Sequence, residues 1–350
     1  MAIAPAGDSM GKVTIIDVAR LAGVSTATVS RAMHAPHVVR PATLERVQQV
    51  MQECGYVYNA TAGDFSRRKS TVIGVLILSS TNKVAASVSA AQHVATLQQF
   101  PLMLSSSGFD PKLERKHLQQ FLQRGVAGVL VIGHMRENRS MLEEFNQRGI
   151  PCVYLWDVLP GTGNNYVGFD NVQGSFDMVN YLVGLGHKRI GFICGFNAGV
   201  DRIAKRYDGY KKALQANGLA LDENIVRSAT STYANGKDAM RELLAMADPP
   251  RCICCASDVI AMGALSAICE AGYRVPHDFT VVGFDNSEFS AYTCPTLTTV
   301  DVPGDEMGRI GMQSLMQLIN NEDHEVIQQE LPTSLIVRGS SCSADELNKW

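Results

Sequence analysis

The sequence predicts an α/β chain: a small helical head followed by two lobes, each built on a parallel sheet covered by helices. From Val72 onward, short continuous apolar runs alternate with amphipathic segments of helix length, the pattern of strands buried on both faces. That pattern restarts after about residue 163, which gives two lobes of similar size. Ahead of it, residues 14–55 hold three short helical segments. With 350 residues, 46% hydrophobic and 19% charged, the chain can bury large cores and does not read as disordered.

Residues 1–13 read as a flexible lead-in. Thr14 followed by Asp17 is a capping-box-like start, and Ile15, Val18, Ala19 and Ala22 recur at helical spacing. Gly23 ends this helix. Ser25 is an N-cap for a second helix to about Met33, with Val29 and Ala32 inward. Pro41 suits the first position of a third helix, which turns Leu44, Val47, Val50 and Met51 inward and stops at Gly55. Helices one and two, joined by a tight Gly-Val turn, make a helix-turn-helix. The outer face of the second, Thr26, Ala27, Thr28, Ser30 and Arg31, is small or polar, which lets it enter a major groove.

Residues 59–71, with Arg67, Arg68 and Lys69, read as a linker. Strands follow at Val72–Leu78, Leu102–Ser105, Val129–Ile132, Cys152–Leu155, Ile190–Cys194, Cys252–Ala256, Thr280–Phe284, Thr298–Val300 and Leu335–Val337. Helices are expected between them, among them Lys112–Arg124, Arg206–Ala216, Ile260–Ala271 and Glu306–Asn320. The last residues read as a frayed end.

The charge is uneven. Residues 1–70 hold eight Lys/Arg against five Asp/Glu, a net +3, and the rest hold 23 against 29, a net −6. A basic head permits phosphate contacts. No run of eighteen apolar residues exists, so no membrane helix is expected, and the first thirteen residues lack a signal-peptide core. Nine scattered cysteines then read as reduced thiols of a cytoplasmic protein. Phosphate-loop, nucleophile-elbow and zinc-helix motifs are missing, and Gly161-Thr-Gly163 lacks a third glycine. Cys252-Ile-Cys254-Cys255 reads as buried small hydrophobes rather than metal ligands. No enzyme activity, metal or cofactor is expected.

The stretch TIIDVARLAGVSTATVSRAMHAP (14–36) closely resembles the headpiece of the lactose/galactose-repressor (LacI/GalR) family. Further pieces agree in order, among them ERVQQVMQECGYVYN (45–59), QRGVAGVLV (123–131), VGFDN (167–171), LGHKRIGFI (185–193), RYDGYKKAL (206–214), SDVIAMGAL (257–265) and VPHDFTVVGFD (275–285). The resemblance implies a DNA-binding headpiece at 14–58, a hinge at 59–71 and a two-lobed core like a periplasmic sugar-binding protein at 72–338. Lobe 1 would be about 72–163 plus part of 297–330, and lobe 2 about 164–296 plus the final strand, with a tail at 339–350. It implies a homodimer, close to the bacterial nucleoid, on a pseudo-palindromic double-stranded DNA operator. By matching positions, Thr26, Ala27 and Arg31 would read bases. Thr14, Ser25, Thr28 and Ser30 would grip phosphates or cap helices, and Asn59 at the hinge is counted with them. Phe65 stands where the family usually has a Leu that wedges the minor groove; the alternative is packing on the core. Gly63 and Asp64 depart from the hinge pattern, since Gly costs about 1 kcal/mol against Ala in a helix.

The resemblance also implies a small-molecule effector between the lobes, at the carboxyl ends of strands. Asp157, Arg206, Ser257 and Asp285 match ligand-contacting positions, and Ser79, Ser80 and Ser106 are weaker candidates. Arg206 would pair a carboxylate bidentately while the Asp residues accept from hydroxyls. Trp156 either stacks on a sugar face or belongs to the core, and Asp258 is taken as the cap of the following helix. VGFDNVQGSFDMV with RYDGY is similar to gluconate-responsive repressors, which implies a sugar acid. A purine-type co-repressor logic and a sugar-transport protein are the competing functions.

Overall fold

The computed structural model describes residues 13–34, 36–56, 70–80, 82–195, 199–320 and 325–347. The chain divides into two compact units, Met1–Lys69 and Ser70–Trp350.

In the first unit, α1 (Ile15–Ala22) opens on a capping box. The Thr14 hydroxyl accepts from the Asp17 amide at 3.4 Å, and the Asp17 carboxylate accepts from the Thr14 amide at 3.0 Å. Two of the helix's orphan donors are thereby satisfied. Gly23, at φ +63°, closes α1 in a left-handed conformation that strains any residue with a Cβ. Helices α2 (Thr26–His34) and α3 (Pro41–Glu53) follow. Val18, Ala19 and Ala22 of α1, Val29 and Ala32 of α2 and Val47 of α3 form the buried core. These side chains are all Ala or Val, which lets the three helices approach closely.

The second unit holds two six-stranded sheets among the described residues. The first runs β11 (Gln328–Glu330), β5 (Asn165–Gly168), β4 (Cys152–Leu155), β3 (Gly128–Ile132), β1 (Ile73–Ile77) and β2 (Leu102–Ser106). The second runs β12 (Ser334–Ile336), β10 (Thr298–Asp301), β9 (Thr280–Asp285), β8 (Cys252–Cys255), β6 (Ile190–Ile193) and β7 (Val226–Arg227). Every pairing is parallel except β10 with β12. Central strands such as β1, β3 and β8 are buried along their whole length, as helix-covered parallel strands must be.

Helices α4 (Asn82–Leu97), α5 (Pro111–Arg124), α6 (Arg139–Gln147) and α11 (Gly304–Asn320) accompany the first sheet, and α7 (Asn171–Gly184), α8 (Asp201–Ala216), α9 (Tyr233–Leu244) and α10 (Asp258–Glu270) the second. Helix α11 lies directly on α4. A Cβ on Gly308 would stand 2.0 Å from the Ser87 carbonyl, so glycine is required at that crossing. The chain passes between lobes after β5, after β10 and after β11.

Within 297–330, β10 joins the second sheet, and α11 and β11 go with the first. The structure departs from the sequence reading in two places. Asn165–Gly168, assigned to the head of lobe 2, pairs with β4 in the first sheet. The start of the expected frayed tail is stitched down: Ser340 is buried, its hydroxyl donates to the Val281 carbonyl at 2.6 Å and accepts from the Thr298 amide at 2.8 Å. The Ala344 amide then donates to the Leu185 carbonyl at 2.9 Å.

Candidate functional site

On α2, Thr26, Ala27 and Arg31 are exposed and Ser30 is half-buried. These positions lie one turn apart on the face opposite Val29 and Ala32. Arg31 makes no ion pair among the described residues. Thr14, Ser25 and Thr28 have local partners. The Thr14 hydroxyl donates to the Asp17 carboxylate at 2.7 Å. The Ser25 hydroxyl accepts from the Thr28 amide at 3.1 Å and lies 2.9 Å from the Thr28 hydroxyl. Capping therefore accounts for Thr14 and Ser25 in the free protein. Asn59, Gly63, Asp64 and Phe65 lie outside the described residues.

In the second unit, a cleft opens at the carboxyl ends of strands from both sheets, where open α/β sheets bind ligands. It has two adjoining chambers. The inner is about 40 Å³ and is walled by Ser79, Phe109, Trp156, Arg202, Arg206 and Ser257 among others. The outer is about 320 Å³, with Ser80, Lys83, Asp258 and Phe289 in its wall. Ser79, Ser231 and Asp285 line both. Trp156 and Asp285 sit at φ +73° and +112°, strain that clusters here at the cleft.

Arg206 is buried and hydrogen-bonded through Nε and Nη1. Its Nε donates to Asn171 Oδ1 at 2.9 Å, and Nη1 to the Ala256 carbonyl at 2.5 Å and to Asp285 at 3.3 Å. The guanidinium also lies 3.8 Å from the Phe284 ring centroid. Burial raises the Asp285 carboxyl, against the pull of Arg206 and Arg202. Ser257 caps α10 by accepting from the Ile260 amide at 3.3 Å, and its hydroxyl is 2.8 Å from that of Ser231. Asp258, taken as that cap, instead accepts from the Ser287 amide at 2.6 Å and the Thr299 hydroxyl at 2.5 Å. Burial, with Asp285 nearby, pushes its carboxyl up to about 7.

Asp157 lines neither chamber. It accepts from Lys205 at 2.8 Å and from the Val158 amide at 3.0 Å, and burial raises its carboxyl against the lysine's attraction. Ser106 is also outside both chambers, with its hydroxyl on the Leu78 carbonyl at 3.4 Å. Trp156 is core and wall at once: Nε1 donates to the Ser87 hydroxyl at 3.0 Å, and the guanidinium of Arg202 stands 5.3 Å from its ring centroid.

Arg202 is the residue that sequence reasoning missed. Its Nη1 is sealed from solvent with no hydrogen-bond partner. Burial, then the charge of Arg206, pulls its pKa down to about 10. The neighbouring carboxylates are committed elsewhere: Asp285 to Arg206, Asp157 to Lys205, Asp301 to Lys83, and Asp201 to Arg136 and Arg139. The signal was present as a second arginine four residues before Arg206, one turn earlier on the same helix face.

Residues 14–59 match the model for bacterial regulatory proteins of the lacI family, and residues 179–341 match a periplasmic binding protein-like domain. Catabolite control protein A of Priestia megaterium is 31% identical over 331 residues, spanning 94% of this chain and 99% of its own. The chain belongs to the lacI family. The transcriptional repressor CytR of Escherichia coli K12 is likewise 31% identical, over 94% of this chain and 96% of that one. The lac repressor dimer bound to operator and the anti-inducer ONPF superimposes with a TM-score of 0.82 at 28% identity, covering 95% of this chain and 100% of that one. A CelR–cellobiose complex gives 0.69 at 31% identity, covering 94% and 99%.

This lacI-family chain is thus a DNA-binding transcriptional regulator with the head and two-lobed α/β core that the sequence predicts. No helix among the described residues is long and apolar enough to cross a membrane. Cys252 and Cys254 pack in one apolar cluster and Cys255 in another, on opposite faces of β8, and burial raises all three thiols well above their ordinary range.

Proposed function

We propose that this protein is a homodimeric repressor of sugar-acid catabolic genes, released from a pseudo-palindromic operator when a gluconate-like acid enters the cleft. The observation that carries the effector class is the cleft's charge among the described residues: Asp285 is paired with Arg206, burial raises the Asp258 carboxyl, and Arg202 lines the cleft without an ion pair. An acid with several hydroxyls suits that balance. The hydroxyls of Ser80, Ser231 and Ser257 and the carboxylate of Asp285 supply the polyol's partners. The related CelR forms a complex with cellobiose, which supports a carbohydrate-type ligand.

In this reading residues 14–58 are the headpiece and 59–71 the hinge. Thr26, Ala27 and Arg31 meet base edges, with Ala27 able only to touch a thymine methyl. Ser30 and Thr28 face phosphates, Asn59 and Phe65 act at the hinge, and residues 72–338 bind effector and dimerise. The lac repressor dimer on its operator supports the two-fold arrangement, because protein symmetry then matches operator symmetry.

A thermal-shift screen of the whole protein against sugar acids, neutral sugars and purines tests the effector class. Ligand at one hundred times its dissociation constant stabilises by about 2.7 kcal/mol. A shift with gluconate or a near relative is expected. A shift with purines alone would replace the sugar-acid reading with a co-repressor one.

A further inference from the structure

We propose that Ser87 is a positioning residue that couples helix α8 to the helix pair α4–α11, as the last side chain of a buried hydrogen-bond relay running from one lobe into the other. The inference rests on the chain being a ligand-responsive DNA-binding regulator, and not on which effector it takes.

Four bonds run head to tail, with every donor pointing the same way along the relay. Arg206 Nε, on α8, donates to Asn171 Oδ1 at 2.9 Å. Asn171 Nδ2, at the first position of α7, donates to the Trp156 carbonyl at 2.9 Å. Trp156 Nε1 donates to the Ser87 hydroxyl, on α4, at 3.0 Å. That hydroxyl donates to the Gly304 carbonyl, at the start of α11, at 2.7 Å. All four side chains are buried. Aligned bonds in a dry site polarise one another, and breaking one strands a buried donor or acceptor. A shift of α8 is therefore passed along the relay more cheaply than it is absorbed within it.

The crossing of α4 and α11 explains a small residue at 87 but not a hydroxyl. A Cβ on Gly308 would stand 2.0 Å from the Ser87 carbonyl, and one on Gly304 would stand 3.3 Å from the Ser87 hydroxyl oxygen. Alanine would satisfy that packing equally well. The hydroxyl instead joins the indole of Trp156 to α11. Trp156 also holds φ +73°, a strain that persists where the surroundings over-determine it. Asn171 fixes its carbonyl and Ser87 fixes its indole, so this wall of the cleft is held from both lobes at once. Strand β1 and helix α4 are the first elements of the second unit in chain order, so the relay ends on the segment that follows the head.

The test uses the full chain with isotope-labelled tryptophan. Its two indole N–H signals, from Trp156 and Trp350, are assigned by NMR with Trp156→Phe. Spectra are recorded with and without a duplex that the protein selects from random DNA, and operator affinity is measured with and without D-gluconate. In wild type, DNA should move the Trp156 signal. Ser87→Ala and Asn171→Ala, which cut the relay at its two ends, should still bind DNA but leave that signal unmoved. Coupling between gluconate and operator should fall from about 5- to 150-fold to less than about twofold. The double variant should be no more impaired than the worse single one, because one broken link already interrupts the relay. Met312→Ala opens a cavity in α11 without removing any of the four bonds. It should lower the unfolding temperature by several degrees and keep the DNA response. A wild-type Trp156 signal that DNA leaves unmoved would overturn the proposal. So would a full-size response in either single variant, or a response lost in Met312→Ala as well, which would make general packing the cause. If Ser87→Ala does not fold, Asn171→Ala decides. Gluconate without effect on wild type would overturn the sugar-acid effector alone, because the response of Trp156 to DNA is read without it.

Discussion

Lys205 Nζ and Asp157 Oδ1 meet at 2.8 Å, joining helix α8 of one lobe to the end of strand β4 of the other. The same ammonium donates to the Val158 carbonyl at 2.8 Å. One turn earlier on α8, Asp201 pairs with Arg136 and Arg139 of the opposite lobe. Arg202 and Arg206 lie between and beside these ties, so α8 both clasps the lobes and lines the cleft. Any ligand that changes the spacing of the lobes must act against this helix.

Lys205→Met should therefore destabilise the second unit by about 1–3 kcal/mol. Breaking a fully buried pair costs more than this, but Lys205 is 30% exposed and water screens part of the interaction. Urea unfolding of variant and wild type measures it. Equal midpoints would mean the clasp contributes nothing.

Arg206→Ala should be worse, costing about 3–5 kcal/mol, because it leaves Asp285 charged and buried without its partner. The double variant Arg206→Met with Asp285→Leu should recover much of that loss, since removing both charges avoids the orphan. Denaturant midpoints of the two variants decide it. A double variant no better than the single would show that the pair's surroundings, not its charges, set the cost.

Asp258 makes stability depend on pH. Its carboxyl titrates near 7 in the folded chain, against 3.8 ordinarily, so the folded state holds the proton more tightly. That contribution is complete below about pH 4 and is lost as pH rises through 7. Asp258→Asn removes it. Between about pH 5 and 8 the wild type should lose stability relative to the Asn variant. Parallel curves of unfolding midpoint against pH would contradict the assignment.

Thr14→Ala should cost the headpiece about 0.5–2 kcal/mol, and Asp17→Ala should destabilise it in the same direction, since each removes half of one capping box. Both should weaken DNA binding together, through helix α1. Arg31→Ala should leave headpiece stability unchanged and cost about 1–3 kcal/mol of operator affinity, with effector affinity intact. If Asp17→Ala strengthened DNA binding while Thr14→Ala weakened it, Thr14 would be a phosphate contact rather than a cap.

Apolar runs made most strands legible in sequence, and Cys152–Leu155 is recovered to the residue. The strand at Asn165–Gly168 escaped because it begins on a polar Asn behind a Gly/Asn-rich turn and so shows no continuous apolar run. Arg206 was readable as a site residue, but its role was not. Its helix starts at Asp201, five residues before the expected start, and has no side-chain cap on Val200 to mark it. That early turn is where Arg202 sits. Ser257 and Asp258 illustrate a second limit: either can cap a helix by sequence, and only the position of Thr299 and the Ser287 amide draws the carboxylate away. Pairing across lobes, such as Asp157 with Lys205, leaves no local pattern to read.

The most direct test is fluorescence anisotropy with a duplex that this protein itself selects from random DNA, titrated with and without gluconate. Binding free energies are reciprocal, so gluconate should lower operator affinity and operator should lower gluconate affinity by the same factor, about 5- to 150-fold. Operator affinity that no sugar acid changes, or that gluconate raises, would contradict release by an acid in the cleft.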